Sequence, residues 1–135
     1  MEENGNILEQ LHATLDRAVV HFMKQEYGES IELCQQLLQK PHASYVKDDV
    51  QLLHSLVLFV QKNYARCSNQ LKLVDPASFK ESAPLLLEGM SYLQCGKLEQ
   101  AKLSFQNVLQ FDRENRFAEK HVDDITKKQM VIDGT

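Results

Sequence analysis

The residues that could bind a metal ion or act as nucleophiles are few and widely spaced in this 135-residue sequence. Metal sites and catalytic thiols need histidines, cysteines or carboxylates at short separations or beside an activating base. The sequence has no HExxH motif, no CxxC motif and no Cys-His cluster at ligand spacing. We therefore expect no metal, no other cofactor and no catalytic residue, although folding could bring distant side chains together. The side chains concerned are His12, His21, His42, His54, His121, Cys34, Cys67 and Cys95.

The stretch GMSYLQCGK, residues 89–97, raises the question of a phosphate-binding loop. It has more residues between its two glycines than a P-loop has, and it does not end in Lys-Ser or Lys-Thr. No serine lies in a nucleophile elbow either. An enzyme of an uncharacterised kind is therefore the least favoured interpretation of this sequence.

Composition and charge exclude several other classes of protein. The net charge is −4 and the basic residues are scattered, so the basic patch of a nucleic-acid-binding protein is missing. The longest apolar run, residues 56–60, is far shorter than the roughly 20 residues of a membrane span. The N-terminus is acidic where a signal peptide would be basic. We expect a cytoplasmic or nuclear protein with reduced thiols, which binds neither nucleic acid nor membranes.

Apolar residues recur at helical spacing along almost the whole chain, and no segment alternates like a strand. Turn-forming residues interrupt this pattern and divide it into seven helices. Pro84 fits the first turn of a helix, so we expect Ser82 to cap that helix after a turn over residues 78–81. The predicted breaks fall at Tyr27-Gly28, Lys40-Pro41, Lys62-Asn63, Asp75-Pro76, Gly96 and Glu114-Asn115.

The helices occur in pairs that repeat along the chain. Small residues recur at Ser30, Cys67 and Ala101, which are 37 and 34 positions apart, and each is followed four residues later by a buried-type side chain. A small residue at this period is typical of stacked helical hairpins, because it lets two helices cross closely. Gly89 is predicted to serve the same purpose in the fifth helix, and Gly96 to end that helix in a left-handed turn.

The third of these hairpins resembles a tetratricopeptide repeat. Its signature positions are filled by Leu85, Gly89, Tyr92, Gly96, Leu98, Ala101, Phe105, Val108, Leu109, Phe111 and Asp112. It departs from the family at Arg113, where proline is usual, and at Glu88, where an apolar residue is usual. The resemblance implies an all-α, right-handed α-solenoid in a single domain over residues 1–135. Its repeats would span about 8–41, 45–76 and 82–114, and a capping helix about 115–130.

In this family the first helix of each hairpin lines a concave groove, and most of the corresponding positions here are apolar. We expect a non-catalytic adaptor or scaffold whose groove binds an amphipathic helix or an apolar segment of a partner protein. Two alternatives stay open: self-association into a homodimer that fills the groove, and a groove filled by the chain's own ends. The groove residues predicted are Leu15, Val19, Phe22, Met23, Leu52, Leu56, Phe59, Val60, Leu86, Met90 and Leu93.

Chaperone-binding members of the family hold a C-terminal carboxylate with lysine, arginine and asparagine side chains. At the corresponding positions this chain has apolar residues, so the resemblance implies that the tails of heat-shock chaperones are not among its partners. The positions are Leu15, Val19, Leu53, Ala83 and Leu87.

Overall fold

Seven α-helices make up the regular structure of the chain in a computed structural model, which describes residues 2–75 and 83–133. The two ranges contain no strand, and their residues belong to two compact units, Met1–Asp75 and Pro76–Thr135, called unit 1 and unit 2 below. One turn of 3-10 helix, Ala43–Tyr45, precedes the third helix. The helices are α1 (Glu2–Met23), α2 (Tyr27–Leu38), α3 (Lys47–Val60), α4 (Tyr64–Leu71), α5 (Ala83–Gln94), α6 (Leu98–Phe111) and α7 (Arg116–Ile132).

Three antiparallel hairpins, α1–α2, α3–α4 and α5–α6, are closed by the same backbone turn. A residue with positive φ follows the first helix of each, namely Gln25 (φ 65°), Lys62 (φ 65°) and Gly96 (φ 75°). In each turn the next amide N–H donates to a carbonyl five residues earlier, as Lys97 does to Tyr92 at 2.9 Å. This is the hydrogen bond of a left-handed helix C-terminus. The three turns are spaced like the small residues of the sequence pattern, so the repeat exists in the backbone as well as in the sequence.

In the first hairpin, α1 and α2 meet at two small residues that are completely buried, Ala18 and Ser30. They lie so close that the Ser30 hydroxyl donates a 2.8 Å hydrogen bond to the backbone carbonyl of Ala18. The contact satisfies a polar group that would otherwise be costly to bury. Around it lies the core of unit 1, formed by Leu11, Ala18, Cys34, Leu37, Val46, Val50, Leu53 and Val57.

In the second hairpin, Ser55 of α3 and Cys67 of α4 are likewise completely buried. The Ser55 hydroxyl donates to the carbonyl of Gln51 in its own helix, and the Gln51 side chain accepts a hydrogen bond from Gln70 of α4. These bonds satisfy the polar groups that α3 buries.

The third hairpin depends on a glycine. A Cβ atom built on Gly89 of α5 would lie 2.7 Å from the ring of Phe105 of α6, which is closer than two non-bonded carbon atoms approach in proteins. Phe105 and Ala101 are completely buried, so the ring occupies the space that a side chain at Gly89 would need. Glu88, which departs from the family pattern, accepts a 2.7 Å hydrogen bond from Ser104 of α6.

The last helix, α7, packs against α6. Its first turn is capped by Asn115, whose side-chain oxygen accepts a 2.9 Å hydrogen bond from the backbone N–H of Ala118. Ala118 and Ile125 enter the core of unit 2 together with Ala101, Phe105 and Val108. The helix runs to Ile132, slightly further than the sequence pattern predicted.

The seven predicted helices and the burial of Ser30, Cys67 and Ala101 are therefore confirmed. Pro84 lies in the first turn of α5, as predicted, whereas the predicted turn over 78–81 and the Ser82 cap lie outside the described residues. No described helix has the length and apolar character needed to cross a membrane. The single-domain organisation stays a prediction.

Replacing Gly89 by alanine tests the close contact in the third hairpin. Helix propensity alone would make Gly89→Ala stabilising by about 1 kcal/mol, but the clash with Phe105 should reverse the sign and give a net loss of about 1 kcal/mol or more. The measurement is urea unfolding followed by circular dichroism. The matched control is Gly28→Ala in α2, where a Cβ atom meets nothing within 4 Å, and we expect a gain of about 0.5 kcal/mol. A gain for both variants would contradict the contact.

The left-handed turns give a second prediction. A non-glycine residue in this conformation costs roughly 1–2 kcal/mol, so Gln25→Gly and Lys62→Gly should each stabilise the fold by about 0.5–1 kcal/mol after the entropy cost of glycine. Gly96→Ala should lose about 1 kcal/mol although its Cβ has open space. Thermal unfolding of the three variants measures the difference. Lower stability of both glycine variants would show that the turns are not left-handed.

Candidate functional site

The predicted groove residues occupy equivalent positions on the first helices of the three hairpins. Each residue of α3 in this set lies 37 positions after its counterpart on α1, as Lys62 follows Gln25. Since the turns are equivalent, the counterparts face the same side of their hairpins. Within unit 1, α1 and α3 also contact each other, so their residues can form one surface. The equivalent sets are Leu15, Leu52 and Leu86; Val19, Leu56 and Met90; Phe22, Phe59 and Leu93; and Met23 with Val60.

Three of these side chains are exposed, all of them in unit 1. Met23 is 75% exposed, Val60 41% and Val19 36%. Leu52 and Leu56 on α3 are half-buried and complete the surface. We call these five residues the α1–α3 face. Adjacent exposed apolar side chains mark interaction sites more often than single ones do, and the contact between α1 and α3 makes these five residues candidates for such a site.

The other predicted groove residues are half-buried and take part in packing. Leu15 and Phe22 pack against the core of unit 1, and the Phe59 ring lies edge-on to Tyr64 at 5.2 Å. Their part in binding a partner stays a prediction. In unit 2, the core is contacted by Leu86, Met90 and Leu93.

The described residues offer little that could perform chemistry. No three of their His, Cys, Asp and Glu side chains lie together as metal ligands would. Burial raises the pKa of the Cys34 thiol to about 11, so it stays protonated at neutral pH and is a poor nucleophile. Burial, with a smaller contribution from Arg66, lowers the pKa of His54.

Unit 2 has a small pocket that the sequence did not predict. Its volume is about 280 Å³, and it lies between the end of α5 and the second half of α7. Its apolar floor consists of the half-buried Leu93 and of Ile125, which is only 1% exposed; two lysines, one aspartate and one histidine complete the lining. We call it the lysine pocket; its residues are Leu93, His121, Asp124, Ile125, Lys127 and Lys128.

His121 connects this pocket to the core. Its imidazole stacks on the Phe105 ring at 4.9 Å, with 14° between the two planes, and contacts Phe117 edge-on at 4.4 Å. Burial lowers the pKa of His121; Lys120 and Lys128 lower it further, and Asp124 opposes them. His121 is therefore mostly neutral at pH 7 and serves as part of the aromatic packing.

Sequence reasoning missed this pocket because α7 was interpreted as a capping helix with a solvated polar face. The one available signal was the pair Lys127-Lys128, the only adjacent basic residues in the sequence, which follow the apolar stripe of α7. The pairing of α7 with Leu93 depends on tertiary packing, which the helical pattern does not specify.

Solved structures similar to this chain decide its fold. The first TPR domain of Spaghetti (RPAP3) aligns with a TM-score of 0.78 and 17% identity, covering 90% of this chain and 94% of that one. The chain has a tetratricopeptide-repeat fold. The first TPR domain of human RPAP3 aligns at 0.74 with 16% identity, covering 93% and 96% of the two chains. The second human RPAP3 domain aligns at 0.74 with 19% identity, covering 87% and 96%.

Searches at the level of sequence give no such match. No protein-family model matches the chain, and no curated protein matches it significantly. The arrangement of the helices therefore confirms a resemblance that, in the sequence, rests on the signature positions of the third hairpin.

The neighbours correct one expectation from the sequence. One RPAP3 domain is bound to the HSP90 peptide SRMEEVD, and another is in complex with the HSP70 peptide SGPTIEEVD. The exclusion of chaperone tails as partners is therefore wrong. It assumed that five positions carried over by register line the groove, yet Leu53 is only 8% exposed and belongs to the core of unit 1. At least one of the five positions is therefore a packing position, and its apolar side chain excludes no class of peptide.

The environment of His121 predicts how stability depends on pH. Because its pKa is lowered in the folded chain, the unfolded chain binds this proton first as the pH falls below about 6.5, and the contribution of His121 to stability decreases there. His121→Phe keeps an aromatic ring stacked on Phe105 and removes the imidazole that binds this proton. The variant should therefore lose less unfolding free energy than the wild type between pH 7 and pH 5, as measured by urea unfolding. Equal losses would show that the imidazole titrates normally.

Proposed function

We propose that this chain is a non-catalytic protein-interaction module, which binds an apolar segment of a partner protein on the α1–α3 face. The observation that carries the proposal is the exposure of Val19, Met23 and Val60 on two contacting helices, with Met23 and Val60 at equivalent positions. The tetratricopeptide-repeat fold supports it, because similar domains hold peptides.

The spacing of the face favours an amphipathic helix as the bound segment. Val19 and Met23 lie one helical turn apart on α1, as Leu56 and Val60 do on α3. Two neighbouring apolar rows form a shallow trough that accepts the apolar stripe of a third helix. Covering exposed apolar side chains contributes roughly 25 cal/mol for each Å² removed from water, and this contribution must exceed the entropy cost of association before binding is observed.

The polar chemistry of the described residues is consistent with a role in binding rather than catalysis. Cys34 is buried and protonated, and the buried serines Ser30 and Ser55 donate their hydroxyl protons to backbone carbonyls. None of these side chains has the activating base that a nucleophile requires.

The test is selection of peptides on the full chain from a library of random 16-residue peptides. We expect enrichment of sequences with apolar residues at i, i+3 or i+4, and i+7, which bind in fluorescence anisotropy. Met23→Asp and Val60→Asp should weaken that binding about tenfold each, because an unpaired carboxylate would lie against the apolar segment. Both side chains are exposed, so circular dichroism should be unchanged. Phe59→Asp and Met90→Asp are less suitable, since those residues pack within the units.

The matched control is Gln35→Asp, which adds the same charge at an exposed position of α2 and should bind like the wild type. The peptides SRMEEVD and SGPTIEEVD are measured beside the selected ones. Light scattering tests self-association: a dimer that Met23→Asp dissociates would identify a second copy of the chain as the occupant and overturn the proposal of a partner segment. Selected peptides without an apolar stripe, or equal binding by Met23→Asp and the control, would also contradict it.

A further inference from the structure

The lysine pocket of unit 2 combines an apolar floor with positive charges that have no partner among the described residues. Lys127 and Lys128 line it on α7, and the only salt bridge within the described part of the chain joins His21 and Glu26. Asp124, which also lines the pocket, neutralises neither lysine through a salt bridge. The pocket therefore has a local excess of one positive charge, on a chain whose net charge is −4. This charge favours an anionic ligand.

The size of the pocket limits what can enter it. Its volume of about 280 Å³ is below the roughly 300–1,000 Å³ typical of pockets for drug-sized ligands and cofactors. One apolar side chain and an adjacent acidic group fill a pocket of this size. Leu93 and Ile125 belong to the core of unit 2 or pack against it, so the floor is held in place without a ligand.

The surroundings favour a carboxylate over a phosphate. Phosphate sites commonly use the free backbone N–H groups at a helix N-terminus, but this pocket lies at the C-terminal end of α5 and the C-terminal half of α7. There the helix dipoles present partial negative charge, and Asp124 adds a full one. Both act more strongly against a phosphate dianion, whose two charges lie on one group, than against separate carboxylates that each contact one lysine. The apolar floor adds affinity only for a ligand that carries an apolar group beside its charge.

We propose that the lysine pocket binds an acidic peptide segment of a partner protein, which places one apolar side chain on Leu93 and flanking carboxylates against Lys127 and Lys128. The proposal rests on the function proposed above, that of a protein-interaction module, and adds a second site of different chemistry. It uses no residue of the α1–α3 face, so the two sites can fail separately.

The test uses the full chain and the peptide GEDLEDG, which is labelled with fluorescein at its N-terminus and amidated at its C-terminus. Binding is measured by anisotropy at low and moderate salt. We expect the double variant Lys127→Gln/Lys128→Gln to weaken binding at least about tenfold, and added salt to weaken the wild type. The charge-free peptide GQNLQNG should not bind, and GEDGEDG should bind several times more weakly than GEDLEDG because it leaves the floor empty.

Arg113→Gln/Arg116→Gln is the matched control, since it also removes two exposed positive charges, one in the loop before α7 and one at the first residue of α7, and it should bind like the wild type. Equal binding by the lysine variant and this control, or no binding of GEDLEDG to the wild type, would overturn the proposal. Displacement of the peptide by millimolar inorganic phosphate would also overturn it, by showing a simple anion site. If the lysine variant keeps GEDLEDG while Met23→Asp loses the selected apolar peptides, the lysine pocket fails and the proposed function stands. The reverse result would overturn the proposed function and support the lysine pocket as a binding site.

Discussion

The close crossing of two helices at small residues is the constraint on which each hairpin depends. At Ala18 and Ser30 the helices are near enough for a side-chain hydroxyl to reach a backbone carbonyl, and at Gly89 only a hydrogen atom fits beside Phe105. Interiors at crystal-like density do not absorb an extra methyl group easily. The identity of these few residues therefore fixes the separation of the helices, and the separation in turn fixes which side chains remain on the outer surfaces.

The same turn recurs in all three hairpins and fixes where the second helix of each begins. Gln25, Lys62 and Gly96 adopt the same left-handed conformation, although only one of them is glycine. Because each turn starts the second helix in the same register, the positions after it become equivalent, and Ser30, Cys67 and Ala101 all reach the crossing point. The first helix then presents equivalent residues on the same side of its own hairpin, and in unit 1 these include the exposed Val19, Met23 and Val60. The proposed binding face follows from backbone geometry combined with apolar side chains.

The sequence predicted the helices, the crossing residues and the role of Gly89, because those features depend on local periodicity and on residue size. It did not predict the left-handed conformation of Gln25 and Lys62, since those residue types carry no signal for it. It also placed Leu53 on a groove where the structure packs it in the core, and the exclusion of chaperone tails built on such positions was wrong. Family register alone misplaces a side chain by one helical position, and on a helix one position is about 100° of rotation.

The lysine pocket is a second feature that the sequence could not predict. Lys127 and Lys128 look like an ordinary solvated pair in the sequence, and Leu93 looks like a groove residue. Only the packing of unit 2, with His121 stacked on Phe105, brings the end of α5 and the second half of α7 around one pocket. Sites formed by two helices distant in sequence depend on tertiary contacts, and no pattern within either helix specifies them.

The contact between Gly89 and Phe105 can be tested most directly by a double-mutant cycle on the unfolding free energy, with Gly89→Ala, Phe105→Leu and both together. If this contact sets the helix separation, leucine at position 105 makes room for the methyl group of alanine at position 89. Gly89→Ala should then cost about 1 kcal/mol less in the Phe105→Leu background than in the wild type. Strictly additive effects would contradict the account, because they would mean that the two helices do not meet at these residues.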